Sequence, residues 1–192
     1  MITPPSAALA LAVGFTVTLA AGLSMYLTIS MSSLDFFRQF EFDHGRYFLF
    51  VPAGVKLLLL FLLRSRSIPG LLIGITLGYQ DLLGLAITQA IVIGTALTFP
   101  ALLTFEWICS SFGLKYPWNR LTRLQLLSAS ILLSIVDSIV LHIVLIWLEL
   151  ETTDIFFCDW ILAVVGRISG CLLVLASLSF IRISYTFFCR KN

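Results

Sequence analysis

"FVPAGVKLLLLFLLRSRSIPG", Phe50 to Gly70, decides what kind of chain this is. One lysine, Lys56, stands inside an otherwise apolar run. Two arginines, Arg64 and Arg66, close that run, and Pro69-Gly70 opens the next apolar stretch. Working outward, the same texture fills the chain: 192 residues, 59% of them hydrophobic and 11% charged, with a mean hydropathy of +1.04. Soluble domains carry about a quarter charged residues, so a water-soluble fold would have no polar skin to cover this core. Apolar blocks of about 18 or more residues read as membrane spans. The expected fold is therefore all-α: a polytopic integral membrane helical bundle forming a single domain over residues 1–192.

Six spans give the best count: Ser6–Met31, Arg46–Leu63, Ile68–Tyr79, Leu82–Phe105, Leu124–Leu148 and Phe156–Ile181. The third is short for a bilayer core that takes about 20 helical residues. The polar turn "YQDLLG", Tyr79 to Gly84, places the break before the fourth; a five-span alternative merges spans three and four. The N-terminus lacks the basic head of a secretory signal, so its apolar stretch reads as a retained first span.

Charge asymmetry tests this count. With six spans, Arg64, Arg66, Lys115, Arg120, Arg123, Arg182, Arg190 and Lys191 share one side, while Arg38 and Arg46 lie on the other among Asp35, Glu41, Asp43, Asp81, Glu149, Glu151, Asp154 and Asp159. Cations gather on the cytoplasmic side of inner-membrane proteins, so the split of 8 to 2 places both termini in the cytoplasm. Trp107, Trp118, Trp147 and Trp160 fall near predicted span ends, as an aromatic belt requires. A net charge of +2 gives no sign of a nucleic-acid partner.

Small residues recur at fourfold spacing: Gly14 and Gly22 in the first span, Gly70, Gly74 and Gly78 in the third, Gly94 in the fourth, Gly166 and Gly170 in the sixth. Such stripes let helix backbones approach closely in lipid. They serve either packing within one bundle or a face for a partner or a homo-oligomer. Pro100 lies late in span four, where it is expected to kink the helix.

Three charges lie well inside spans: Lys56, Asp137 and Arg167. A charge at mid-bilayer costs several kcal/mol and normally pairs or faces water. Counted from one membrane face at about 1.5 Å per residue, Lys56 lies roughly 15 Å deep, Asp137 roughly 16 Å and Arg167 roughly 12 Å. The three are expected to meet in one layer, with Asp137 bridging Lys56 and Arg167, and Glu106 or an anionic ligand supplying the remaining negative charge. Ser130, Ser134, Asp137, Ser138 and His142 share one helical face. The layer is either a structural ion network or a site for a ligand or proton.

Other chemistry is excluded or lacks support. The sequence shows no P-loop, no HExxH, no GxSxG and no dinucleotide fingerprint, so no catalytic residues, metal ligands or cofactors are assigned. Cys109, Cys158, Cys171 and Cys189 form no CxxC pair and read as apolar helix residues, with Cys189 placed for acylation beside the terminal basic residues.

"YFLFVPAGVKLLLLFLLRSRSIPGLLIGITLG", Tyr47 to Gly78, resembles the membrane-associated sensor domains of bacterial signalling proteins. The matching positions are Pro52, Ala53 and Gly54 at a helix head, the basic turn of Arg64 and Arg66, then Pro69, Gly70, Gly74 and Gly78. "GRISGCLLVL", Gly166 to Leu175, looks like that family's late glycine-bearing helix, with Arg167 where an acid is common. Family members usually precede a cyclase, phosphodiesterase or kinase module, and this chain ends eleven residues after Ile181. The resemblance implies a free-standing, non-enzymatic sensor-like or accessory protein of the bacterial inner membrane that binds another membrane or signalling protein, using a glycine stripe or the surface around Lys115, Arg120 and Arg123. The alternative is transport or binding of a small molecule or ion by the charged layer.

Overall fold

The computed structural model describes residues 7–32, 34, 39, 41–43, 46–113, 122–152 and 156–189. Asp35, Arg38, Lys115, Trp118, Arg120, Asp154, Arg190 and Lys191 lie outside these residues, as do the side chains of Asp43, Arg46, Arg123, Arg182 and Cys189.

Among the described residues there are six α-helices: α1 (Ala7–Met31), α2 (Val51–Leu63), α3 (Ile68–Leu83), α4 (Ile87–Ser111), α5 (Arg123–Trp147) and α6 (Phe156–Cys189). A two-stranded antiparallel ribbon, β1 (Glu41–Asp43) and β2 (Arg46–Tyr47), joins α1 to α2 and pairs Glu41 with Tyr47. The second expected span therefore starts five residues late. Arg46 and Tyr47 belong to the ribbon, and the helix waits for Pro52, whose missing N–H suits a first turn. The sixth runs past Ile181 to Cys189, because Arg182 ends the apolar run without breaking the helix.

Five stretches are long and apolar enough to cross a membrane, and one of them, Val51–Leu83, spans 33 residues. That stretch is folded in two. Arg64 takes a positive φ of 51° at the end of α2, a 3-10 turn covers Arg64–Ser67, and Pro69 sits in the first turn of α3. Lys56 of α2 and Tyr79 of α3 line one cavity, so the two helices run in opposite directions. With 13 residues, α2 is about 20 Å long, short of a bilayer core of about 30 Å. The merger of spans three and four does not occur: Gly84, at φ 63°, ends α3 in the left-handed conformation that glycine adopts without strain. α5 opens with a reciprocal cap, in which Thr122 Oγ1 accepts from the Gln125 N–H and Gln125 Oε1 accepts from the Thr122 N–H.

The helices close into a ring in the order α1, α3, α4, α5, α6, α2, each packed on its two neighbours. Glycine sets the two seams between parallel helices. On one, a Cβ at Gly70 would come 2.6 Å from Thr18 O, and one at Gly74 would come 2.5 Å from Gly22 O. On the other, a Cβ at Gly54 would come 2.6 Å from Gly170 O, while one at Gly170 would strike the Phe50 carbonyl. Ile29 packs on Gly78, and Thr76 and Leu72 pack on Gly94. These glycines are packing positions within the bundle. Gly14 differs: a Cβ there would meet nothing within 4 Å, so this residue faces outward.

Large apolar side chains cover the outside, among them Phe15, Leu103, Trp107, Leu124, Trp147 and Phe157. A surface of this kind suits lipid rather than water. Inside, Leu57, Leu60, Phe61, Ile93, Leu97, Ala101, Phe105, Ala129 and Leu133 belong to one apolar core.

Candidate functional site: a charged layer inside the ring

α2 carries Lys56 one turn beyond Pro52–Gly54. Gly54 lets that turn lie against α6, which aims the lysine into the ring. There Lys56 Nζ forms an ion pair with Asp137 Oδ2 of α5 and donates toward Leu97 O of α4 at 3.4 Å. Both ionic side chains are at most 4% exposed. The expected pairing of Lys56 with Asp137 is present in the structure.

The expected bridge to Arg167 is not. Arg167 Nη1 donates to Ser138 Oγ at 3.0 Å and toward Ala163 O at 3.5 Å. Its guanidinium carbon also lies 5.4 Å from the centre of the Phe50 ring. The reason is local. The Phe50 N–H donates to Gly166 O at 2.9 Å, which fixes the ring beside the next residue of α6 and draws Arg167 over it. Ser138, one residue after Asp137, meets the guanidinium instead. Glu106 is not the missing counter-charge either. It pairs with Arg64 near the α2–α3 turn, where Arg64 Nε donates to Glu106 Oε1 at 3.2 Å and the two side chains are 37% and 40% exposed.

His142 lies on the same face of α5, one turn toward the end that carries Glu151. Its Nδ1 sits 2.7 Å from Ser138 O. A carbonyl only accepts, so Nδ1 carries the proton. The other ring nitrogen, Nε2, faces Glu151 Oε1 at 3.7 Å, and both side chains are buried. The His142 ring also stands edge-on to Phe156 at 5.8 Å.

Two further polar groups of the layer, Tyr79 and Glu151, escaped sequence reasoning. Tyr79 lies beside Arg167 and Asp137. Its spacing of four residues from Ile75 puts both on one face of α3, the signal that would have found it. Glu151 reads in sequence as a loop acid, and nothing in its neighbours marks it as folding back onto His142. Asp137 Oδ1 and Thr98 Oγ1 are buried with no hydrogen-bond partner among the described residues.

The space within the layer is small. Met25, Phe50, Ala53, Lys56, Ile75, Tyr79, Leu97, Asp137 and Arg167 line a cavity with room for about one water molecule. Toward the Arg64 end the ring centre is filled, with Phe61 and Phe105 edge to face at 4.9 Å. No group of three or more His, Cys, Asp or Glu able to hold a metal occurs among the described residues. The arrangement can hold charge and protons in a low-dielectric interior.

No protein-family model, curated protein or solved structure matches this chain.

Proposed function

We propose that this chain is a non-enzymatic, sensor-like or accessory protein of the bacterial inner membrane that acts by binding another membrane or signalling protein. One observation carries the reading: the charged layer is filled, with Lys56 held by Asp137, Arg167 held by Ser138, and space for about one water between them. Pockets for organic ligands usually enclose about 300–1,000 Å³, so the ring centre fits a structural joint better than a cargo site. The bacterial setting and the signalling partner rest on the likeness of Tyr47–Gly78 to membrane-associated sensor domains. Cytoplasmic termini rest on the distribution of lysine and arginine.

Photo-crosslinkers placed one at a time at the exposed positions Phe15, Leu103, Trp107 and Phe157 test this reading in living cells. The expected result is one discrete adduct with a single other protein, confined to one face of the ring. Lipid adducts at every position would overturn it, and adducts only between copies of this chain would replace the proposed partner with a homo-oligomer.

A second reading, ion or small-molecule transport, draws on the buried Asp137 Oδ1 and Thr98 Oγ1, which lack hydrogen-bond partners among the described residues. It predicts that Asp137→Asn accumulates normally in the membrane yet abolishes uptake into cells or vesicles. If Asp137→Asn fails to accumulate, the structural role stands instead.

A further inference from the structure

Asp137 uses only one of its oxygens. Oδ2 takes Lys56, while Oδ1 is buried with no hydrogen-bond partner among the described residues. Leaving a carboxylate oxygen unsatisfied in a membrane interior is costly. Across the same cavity stands Arg167, whose guanidinium has five N–H donors. Nη1 donates to Ser138 Oγ and toward Ala163 O, and the guanidinium also hydrogen-bonds Tyr79, which leaves N–H donors over. Tyr79 borders the cavity between them.

Three conditions define a hydrated internal site: polar walls, volume for one water, and two to four hydrogen-bonding partners. All three hold here. The cavity has room for about one water and four polar side chains in its lining, Lys56, Tyr79, Asp137 and Arg167. The packed core nearer the Arg64 end, with Leu60, Phe61 and Phe105, meets none of the polar requirements.

We propose that this cavity is a binding site for one ordered water, which donates to Asp137 Oδ1 and accepts from Arg167, with Tyr79 as its further neighbour. The water makes Asp137 the shared acceptor of two cations: Lys56 directly, Arg167 through solvent. It thereby ties α6 and α3 to the α2–α5 ion pair. The site is independent of whether the protein acts on a partner or on a cargo, since it concerns only how the joint is satisfied.

The test is a structure of the wild-type protein in lipid nanodiscs at a resolution that shows ordered waters. One water peak within about 3.2 Å of both Asp137 Oδ1 and an Arg167 nitrogen is the expected result. An empty cavity, or a direct contact between Asp137 and Arg167, overturns the proposal. A thermal double-mutant cycle supplies a second readout, with Asp137→Asn and Arg167→Gln made singly and together. The expected melting temperature of the double variant lies well above that given by adding the two single shifts. Strict additivity overturns the bridge.

Discussion

The two halves of the ring centre solve different problems. Toward the Glu151 end the interior is polar, with Lys56, Asp137, Arg167, Ser138, His142 and Glu151 within reach of one another in succession. Toward the Arg64 end it is apolar, with Leu60, Phe61, Phe105, Ala129 and Leu133 in one cluster. The apolar half holds by shape alone, and each of its members is replaceable by a residue of similar volume. The polar half holds by pairing, so every member depends on a named partner. Removing one partner leaves a charge in lipid-like surroundings. Removing one apolar residue leaves only a void.

Substitutions that separate these two kinds of dependence follow, largest first. Asp137→Leu leaves Lys56 as an unpaired buried cation, and losing one partner of such a pair costs about 3–5 kcal/mol. The expected outcome is a sharp fall in membrane accumulation and in melting temperature in mild detergent. Phe105→Ala, in the apolar half, removes the partner of Phe61. Aromatic-to-alanine changes in cores cost up to about 5 kcal/mol, but relaxation around the void is expected to hold this one near 3, below Asp137→Leu on the same melting assay. A drop larger than that of Asp137→Leu would reverse the contrast.

The seam between α2 and α6 predicts a smaller but position-specific effect. Gly170→Ala drives a Cβ into the Phe50 carbonyl, where backbone must shift. Overpacking of this kind costs about 1–3 kcal/mol. Gly14→Ala meets nothing within 4 Å and is expected to leave the melting curve unchanged. A loss of function from Gly14→Ala without a loss of stability would mark that face as a partner contact. Arg64→Gln is the smallest of the expected losses. It removes an ion pair whose side chains are more than a third exposed, worth about 0–1 kcal/mol.

Much of this plan is legible in the sequence, for physical reasons that also mark where legibility stops. The structure pairs Lys56 with Asp137 as expected, but the depth count behind that expectation ran at helical rise from Arg46, whereas α2 begins only at Val51. Arg167 was counted to nearly the same level, but its contacts depend on which neighbour reaches it first. The backbone bond from Phe50 to Gly166 O settles that, and no spacing in the sequence reports it. Gly14 and Gly22 share a stripe and a residue type, yet only Gly22 meets another helix. The contact is a property of the partner surface, not of the stripe. The hairpin of α2 and α3 was legible because Arg64, Arg66 and Pro69 punctuate the run. The ribbon over Glu41–Tyr47 was not, because strands of three and two residues leave no alternation to detect.

The Lys56–Asp137 pair reads as a structural joint that crosses the ring from α2 to α5, and a charge-removal cycle tests this most directly. Lys56→Met, Asp137→Leu and the double variant are compared by melting temperature in the same detergent or nanodisc. Each single variant is predicted to fall sharply, because each leaves one buried charge without its partner. The double variant is predicted to recover most of the loss, since an apolar pair of similar volume replaces a buried ion pair at little or no cost. A double variant as unstable as the sum of the two singles, or single variants that melt like the wild type, would contradict the claim.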